Sequence, residues 1–246
     1  MCADLMYNDH QSVTDQRLEL QEGERGRGAL STAERRAREK AQRRQEILDA
    51  ARQEFFERGF HRPTMDDLAA RAQISKGTVY LYFESKEEIL AHLLLEGLHL
   101  LLAKMKAGQE EVALLSPVDR LRAAAMAYLR FFEEQPSYFR LIMAFDRGRF
   151  EESVSSTLYR RVLNCSLRGL SLLSQIIESG KKEGVFDVED SWEAAGSVWA
   201  AINGVLVLMG APLRQRLLRS DLDTMFQATL DLVIRGLDNS KGEGQT

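Results

Sequence analysis

Residues 64–83, TMDDLAARAQISKGTVYLYF, decide how the rest of the chain is to be read. Met65, Leu68, Ala69 and Ala72 recur at three- and four-residue steps, which places them on one face of a helix. Thr64 can cap that helix through its side-chain oxygen, and Asp67 puts a carboxylate in the first turn, where the helix dipole favours it. Ala72-Gln73-Ile74 interrupts the pattern, and Ser75 offers a second N-cap for a short helix through Tyr80. Two short helices joined by a tight turn predict a helix-turn-helix. Ala69 is the small residue where two steeply crossing helices would meet, with Ile74 and Val79 as the apolar plug. The second helix carries Ser75, Lys76, Gly77, Thr78 and Tyr80 toward its exposed side: short donors, one cation, a glycine that permits close approach and a phenol. Such a set suits phosphate contact and groove reading better than catalysis. An ordinary pair of core helices with a polar outer face would read the same way, so the flanks must decide.

Thr64, Leu68-Ala69, Ala72, Ile74-Ser75, Gly77, Tyr80, Tyr82-Phe83, Lys86 and Ile89-Leu90 together resemble the DNA-binding signature of the tetracycline-repressor-like (TetR) family. Upstream, Ile47-Leu48, Ala50-Ala51, Phe55-Phe56 and Gly59-Phe60 resemble its first helix and the turn that closes it, so the likeness runs from about Arg43 to Leu94. Two positions depart from the pattern. Gln73 stands where the family usually has a glycine, so it either accepts a left-handed conformation or uses a different turn geometry. Tyr82 stands where a histidine is frequent, and both can donate to phosphate. The resemblance implies an all-α chain: an N-terminal three-helix DNA-binding domain with the helix-turn-helix, then a C-terminal helical ligand-binding and dimerisation bundle. The expected division is a disordered extension with a basic end over 1–40, the DNA-binding domain over 41–88, the bundle over 89–238 and a flexible tail over 239–246.

Composition fits that frame. A chain of 246 residues can bury a large core, and four prolines without sustained strand-like alternation favour helices. Two cysteines far apart, Cys2 and Cys165, make no disulfide framework and fit a reducing cytoplasm. Ala200–Met209 is apolar but reads as too short to span a bilayer, so no membrane partner is expected. The net charge is -4, yet its distribution matters more: residues 31–90 carry 12 Lys or Arg against 11 Asp or Glu, a local +1. Binding to nucleic acid must then depend on where cations sit. The run from Ala33 to Arg44 is helix-forming and basic; it reads either as a solvated face with Glu34-Arg38 and Arg35-Glu39 pairs or as an arm reaching phosphates.

Ser85 and Glu88 have capping-box spacing and open a helix with an apolar stripe from Ile89 to Met105. Beyond it, Pro117 opens a helix broken at Gln135-Pro136, Tyr138–Phe145 forms a short apolar one, and a single long helix is expected from about Glu151 to Ser179. Trp192–Met209 is apolar nearly all round, and Leu222–Leu237 supplies another apolar helix. These two are either an intrachain core or, as the resemblance implies, the four-helix dimer interface. Within the bundle a pocket is implied, with Met126, Phe145, Asn164, Trp199 and Asn203 as candidate ligand-binding residues, and Arg140 with Asp146-Arg147 either receiving a charged ligand or forming a solvated edge.

The sequence offers no Gly-rich phosphate loop, no metal-spaced His or Cys cluster and no nucleophile-base arrangement, so neither an enzyme nor a cofactor is expected. Cys165, on an apolar stripe, is expected to be an inert buried thiol. The reading is a cytoplasmic, nucleoid-associated homodimer that binds a palindromic double-stranded operator as a repressor and is released by an unknown small-molecule effector. Thr64, Ser75, Tyr80, Tyr82 and Lys86 are expected to hold phosphates, while Lys76, Gly77 and Thr78 face base edges. The competing reading is a protein of the same fold that acts through interactions without DNA specificity of its own.

Overall fold

The computed structural model describes residues 31–110, 114–145 and 150–238, with the side chains of 109, 110 and 145 excepted. Of the extension expected to be disordered over 1–40, residues up to 30 lie outside the described residues, as does the tail from 239, whereas its end from Thr32 is helical. Among the described residues there are eleven helices: α1 Thr32–Arg58, α2 Met65–Arg71, α3 Lys76–Tyr80, α4 Lys86–Glu110, α5 Pro117–Glu134, α6 Pro136–Phe145, α7 Phe150–Ser153, α8 Ser156–Lys182, α9 Ser191–Met209, α10 Pro212–Leu218 and α11 Leu222–Leu237. The one extended pairing among them is an isolated antiparallel bridge between Phe186 and Asp238.

The chain divides into two units, residues 1–49 and 50–246. In the first, the described part is the N-terminal portion of α1. Ser31 and Glu34 cap it reciprocally: the Ser31 amide donates to Glu34 Oε2 at 2.8 Å and the Glu34 amide to Ser31 Oγ at 3.2 Å. The backbone hydrogen bond from Ser31 holds the Glu34 carboxyl below its usual range. From Ser31 to Arg43 the side chains are exposed, with an Arg35–Glu39 pair at 3.7 Å and an Arg43–Glu46 pair at 2.6 Å, the solvated-face pattern its i,i+4 and i,i+3 spacings encode.

In the second unit, Gly59 at φ 83 ends α1 and donates its amide to the Phe55 carbonyl, a conformation that a glycine takes without a Cβ clash. The larger part is a helical bundle in which α4, α5, α8, α9 and α11 pack around Leu121, Phe131, Ile176, Val198, Leu206, Phe226 and Leu230. Full burial of each such side chain contributes about 1.5–3 kcal/mol. Side chains cap the helix starts: Ser116 for α5, Asp190 for α9 and Asp221 for α11.

Three sequence expectations change. The long helix from Glu151 breaks at Val154-Ser155, because Ser155 turns its hydroxyl to accept the Leu158 amide at 3.3 Å and starts α8 afresh. A further helix, α10, stands between the two apolar helices; Gln215 caps the end of α9 by donating to the Met209 carbonyl at 2.7 Å. Finally, α9 begins at Ser191, so it is 19 residues long and, by length and composition alone, sufficient to cross a membrane. The ten-residue limit failed because small and weakly polar residues of 191–199 extend the helix. Here α9 packs one face against α8 and α11.

Candidate nucleic-acid interface and ligand cavity

The helix-turn-helix is built by three local devices. Thr64 caps α2 through a full capping box: its hydroxyl accepts the Asp67 amide at 3.3 Å, while its amide and hydroxyl donate to Asp67 Oδ2 at 2.8 and 2.6 Å. These bonds, the hydroxyl's foremost, hold the Asp67 carboxyl down to about 2. The turn follows, and Gln73 takes the left-handed conformation at φ 55. The Ile74 amide donates to the Ala69 carbonyl at 3.0 Å and the Gln73 amide to Ala70 at 3.1 Å, the paired bonds of a Schellman ending. Gln73 thus occupies the glycine position of that motif without changing the turn. Third, Ser75 caps α3 by accepting the Thr78 amide at 3.1 Å, and the two hydroxyls lie 2.8 Å apart. Ala69 and Val79 are buried at the crossing, as the small-residue rule requires.

A charge network braces this unit from within. Glu54 is buried on α1 and accepts from Arg58 and, at 3.0 Å, from Arg71 Nε. Arg58 also reaches Asp67 Oδ1 at 3.2 Å, and Arg71 pairs with Glu57. The hydrogen bond from Arg58 above all holds the Glu54 carboxyl below its usual range, so the buried charge is retained and compensated. Arg52 pairs with Glu96 at 2.8 Å. Arg52, Arg58 and Arg71 therefore serve the scaffold. The sequence reading missed this role; its signal was Glu54, at helical spacing among the apolar residues Ala50, Ala51 and Phe55.

Most of the site residues lie on α3 or at its start, with Tyr82 just after it, Thr64 at the start of α2 and Lys86 at the start of α4. Ser75, Lys76, Gly77 and Tyr80 are exposed, Thr78 is half-buried beside them, and a Cβ on Gly77 would meet only Ser75 Oγ, at 3.8 Å. Lys76 Nζ is held by Asp66 Oδ2 at 2.7 Å, and this partner raises its affinity for the proton. Tyr82 is half-buried. Lys86 donates to the His61 carbonyl at 3.1 Å, fastening the start of α4 to the segment before α2. Leu81, 77% exposed next to Tyr80, is a large apolar group on this surface that the sequence reading did not single out.

A cavity of about 320 Å³ lies in the bundle, lined among others by Leu94, Leu98 and Met105 of α4, Tyr128 of α5, Ile142 and Met143 of α6, and Leu163 and Ser166 of α8. No charged side chain is among its described lining. Of the proposed ligand residues, Trp199 is in the wall. Asn203 stands behind it, accepting from the Tyr128 hydroxyl at 2.7 Å and donating to the Trp199 carbonyl at 2.9 Å. Met126 is outside the wall, where its sulfur accepts from Gln227, and Asn164 is exposed on α8. Phe145 ends α6 with its side chain outside the described residues, as are Asp146 and Arg147. Arg140 is exposed and donates to Ser137 Oγ at 2.9 Å. Cys165 is buried, and burial pushes its thiol up. Among the described residues no group of three or more metal-binding side chains occurs.

A short-donor recognition helix on a braced helix-turn-helix, followed by a helical bundle with an apolar cavity, defines a DNA-binding transcriptional regulator. Residues 47–93 match the family described as bacterial regulatory proteins, tetR family. The chain is 29% identical over 183 residues to the HTH-type transcriptional regulator TtgR of Pseudomonas putida, covering 70% of this chain and 82% of that protein. It is 35% identical over 108 residues to the HTH-type transcriptional activator FasR of Mycolicibacterium smegmatis, a match spanning 43% of this chain and about half of FasR, 47%. The solved structure of the TetR family regulator PfmR from Thermus thermophilus superposes with a TM-score of 0.60 at 28% identity, over 78% of this chain and 99% of PfmR. Residues 47–93 thus carry a tetR-family DNA-binding domain, and over 70–78% of its length the chain is similar to TetR-family transcriptional regulators.

Proposed function

We propose that this regulator is a repressor that binds a palindromic operator as a homodimer and is released by a small, uncharged, lipophilic effector held in the bundle cavity. The observation that carries the reading is that one helix serves both ends. Leu94, Leu98 and Met105 of α4 line the cavity, and Lys86 of the same helix grips the His61 carbonyl just ahead of α2. An occupant that shifts α4 therefore changes the seating of the helix-turn-helix, and its differential affinity for the two arrangements is the whole switch. The chemistry of the wall favours a neutral ligand, since an unpaired ionised group loses its hydration there without gaining a partner.

In this reading Thr64, Ser75, Tyr80 and Tyr82 hold phosphates, Lys76, Gly77 and Thr78 face base edges, and Lys86 contributes chiefly through its strut to His61. The dimer forms through α9 and α11, whose exposed apolar residues include Trp192, Leu208 and Leu232. Two recognition helices related by a twofold then address two half-sites. The protein works in the cytoplasm on nucleoid DNA. Selection of bound duplexes from a random pool tests the reading. Enrichment of a palindrome, lost when a neutral lipophile quenches Trp199 fluorescence, is the expected result. A well-folded dimer that enriches no sequence would sink it.

A further inference from the structure

We infer that Asp66 is a specificity-determining residue that screens Lys76 from phosphates and leaves it available to a base edge. The inference rests on the proposed reading of α3 as the recognition helix. Asp66, in the first turn of α2, and Lys76, the first residue of α3, are both exposed and meet at 2.7 Å. Among the described residues no other acidic side chain is paired with Lys76, and the neighbours on the same face are the Ser75 and Thr78 hydroxyls and the Tyr80 ring.

A lysine ammonium has three donors. Asp66 Oδ2 takes one, which leaves two directed outward, the number needed for guanine O6 and N7. A guanine edge is uncharged, so it joins Asp66 on the ammonium without charge repulsion. Asp66 can also accept from the N4 amino group of a nearby cytosine. A phosphate competing for the same ammonium must come within a few ångströms of the carboxylate, and the like charges oppose it. Affinity for arbitrary DNA is the part set by phosphates and counterion release, so this pair lowers non-specific binding at little loss to the operator. The arrangement fits a DNA-binding unit in which the cations Arg52, Arg58 and Arg71 are tied into the scaffold.

The test is fluorescence anisotropy of the full chain with the selected operator and a scrambled duplex of equal length, between 50 and 200 mM salt. Asp66→Asn keeps the size and helix-start preference of the residue. It is expected to tighten scrambled DNA roughly five- to tenfold at the low-salt end, to steepen the salt slope by about 0.9, and to lower the operator-to-scrambled ratio. Asp66→Glu, which restores the carboxylate, should return the ratio toward wild type, and Lys76→Met should relax preference at one guanine position in repeated selection. If Asp66→Asn leaves the ratio unchanged, or weakens scrambled DNA, while its melting curve matches wild type, the inference is overturned. Should Asp66→Asn melt early, the Asp66→Glu and Lys76→Met arms decide it alone. Wild-type protein that fails to distinguish operator from scrambled DNA overturns the parent reading instead.

Discussion

Replacing Gly97 by alanine sets two well-measured effects against each other. In a helix interior, glycine to alanine ordinarily stabilises by about 0.5–1 kcal/mol, because the unfolded chain loses freedom. At Gly97 of α4, however, a Cβ would stand 2.7 Å from Tyr138 Cδ1, 3.1 Å from its Cβ and 3.2 Å from its Cγ. Tyr138 has nowhere to go: it is buried, its ring meets Phe56 edge-on at 4.9 Å, and its hydroxyl bonds Glu96. Burial, with that carboxylate, pushes the phenol up, so it stays a neutral donor. Overpacking at such a site costs about 1–3 kcal/mol, which exceeds the propensity gain. The expected net loss is about 1–2 kcal/mol, a fall in Tm of roughly 2–8 °C for a chain of this size. Gly169 of α8 is the control, since a Cβ there meets one atom, Leu102 Cδ2, at an ordinary 3.9 Å. Gly169→Ala should melt slightly above wild type in the same denaturant and thermal series. If Gly97→Ala also melts at or above wild type, the close approach of α4 and α6 does not constrain the fold and the argument is wrong.

At the turn, Gln73→Gly should stabilise by up to about 1 kcal/mol and Gln73→Val should destabilise, since a β-branched residue resists the left-handed region; urea midpoints give the order. If the proposed dimer forms through α11, Leu232→Glu, changing an exposed apolar residue of that helix, should shift it toward monomer in sedimentation and weaken binding to the selected operator while leaving helix content intact. Lys86→Ala removes the strut to His61, so it should lower affinity for operator and scrambled DNA alike, in contrast to Lys76→Met, which acts on base preference. The Asp67 carboxyl has a folded pKa, about 2, below the ordinary value of 3.8, so its contribution is complete above about pH 4 and fades as pH falls toward 2. Urea melts at pH 5 and pH 3 should show that loss, and Thr64→Val should shrink the difference between them.

Much of this protein is written in local sequence because its devices are local. Thr64 with Asp67, Ser75 with Thr78, and Asp190 with the amides of Trp192 and Glu193 are caps whose partners lie within three residues, so spacing reveals them. Helical periodicity likewise fixed the buried faces of α2, α5 and α11. Gln73 was the borderline case: sequence identified the turn and its conflict, and the hydrogen bonds of Ile74 and Gln73 decided that the left-handed geometry prevails. Other features rest on partners distant along the chain. Glu54 with Arg71, Arg52 with Glu96, Lys86 with the His61 carbonyl and Tyr128 with Asn203 are separated by 17, 44, 25 and 75 positions. No periodicity encodes such pairs, because each is set by which helix faces meet. The cavity is the extreme instance: it is the space left between α4, α5, α6, α8 and α9, so residues of suitable chemistry, Trp199 inside its wall and Asn164 on the surface, look equivalent until those helices pack.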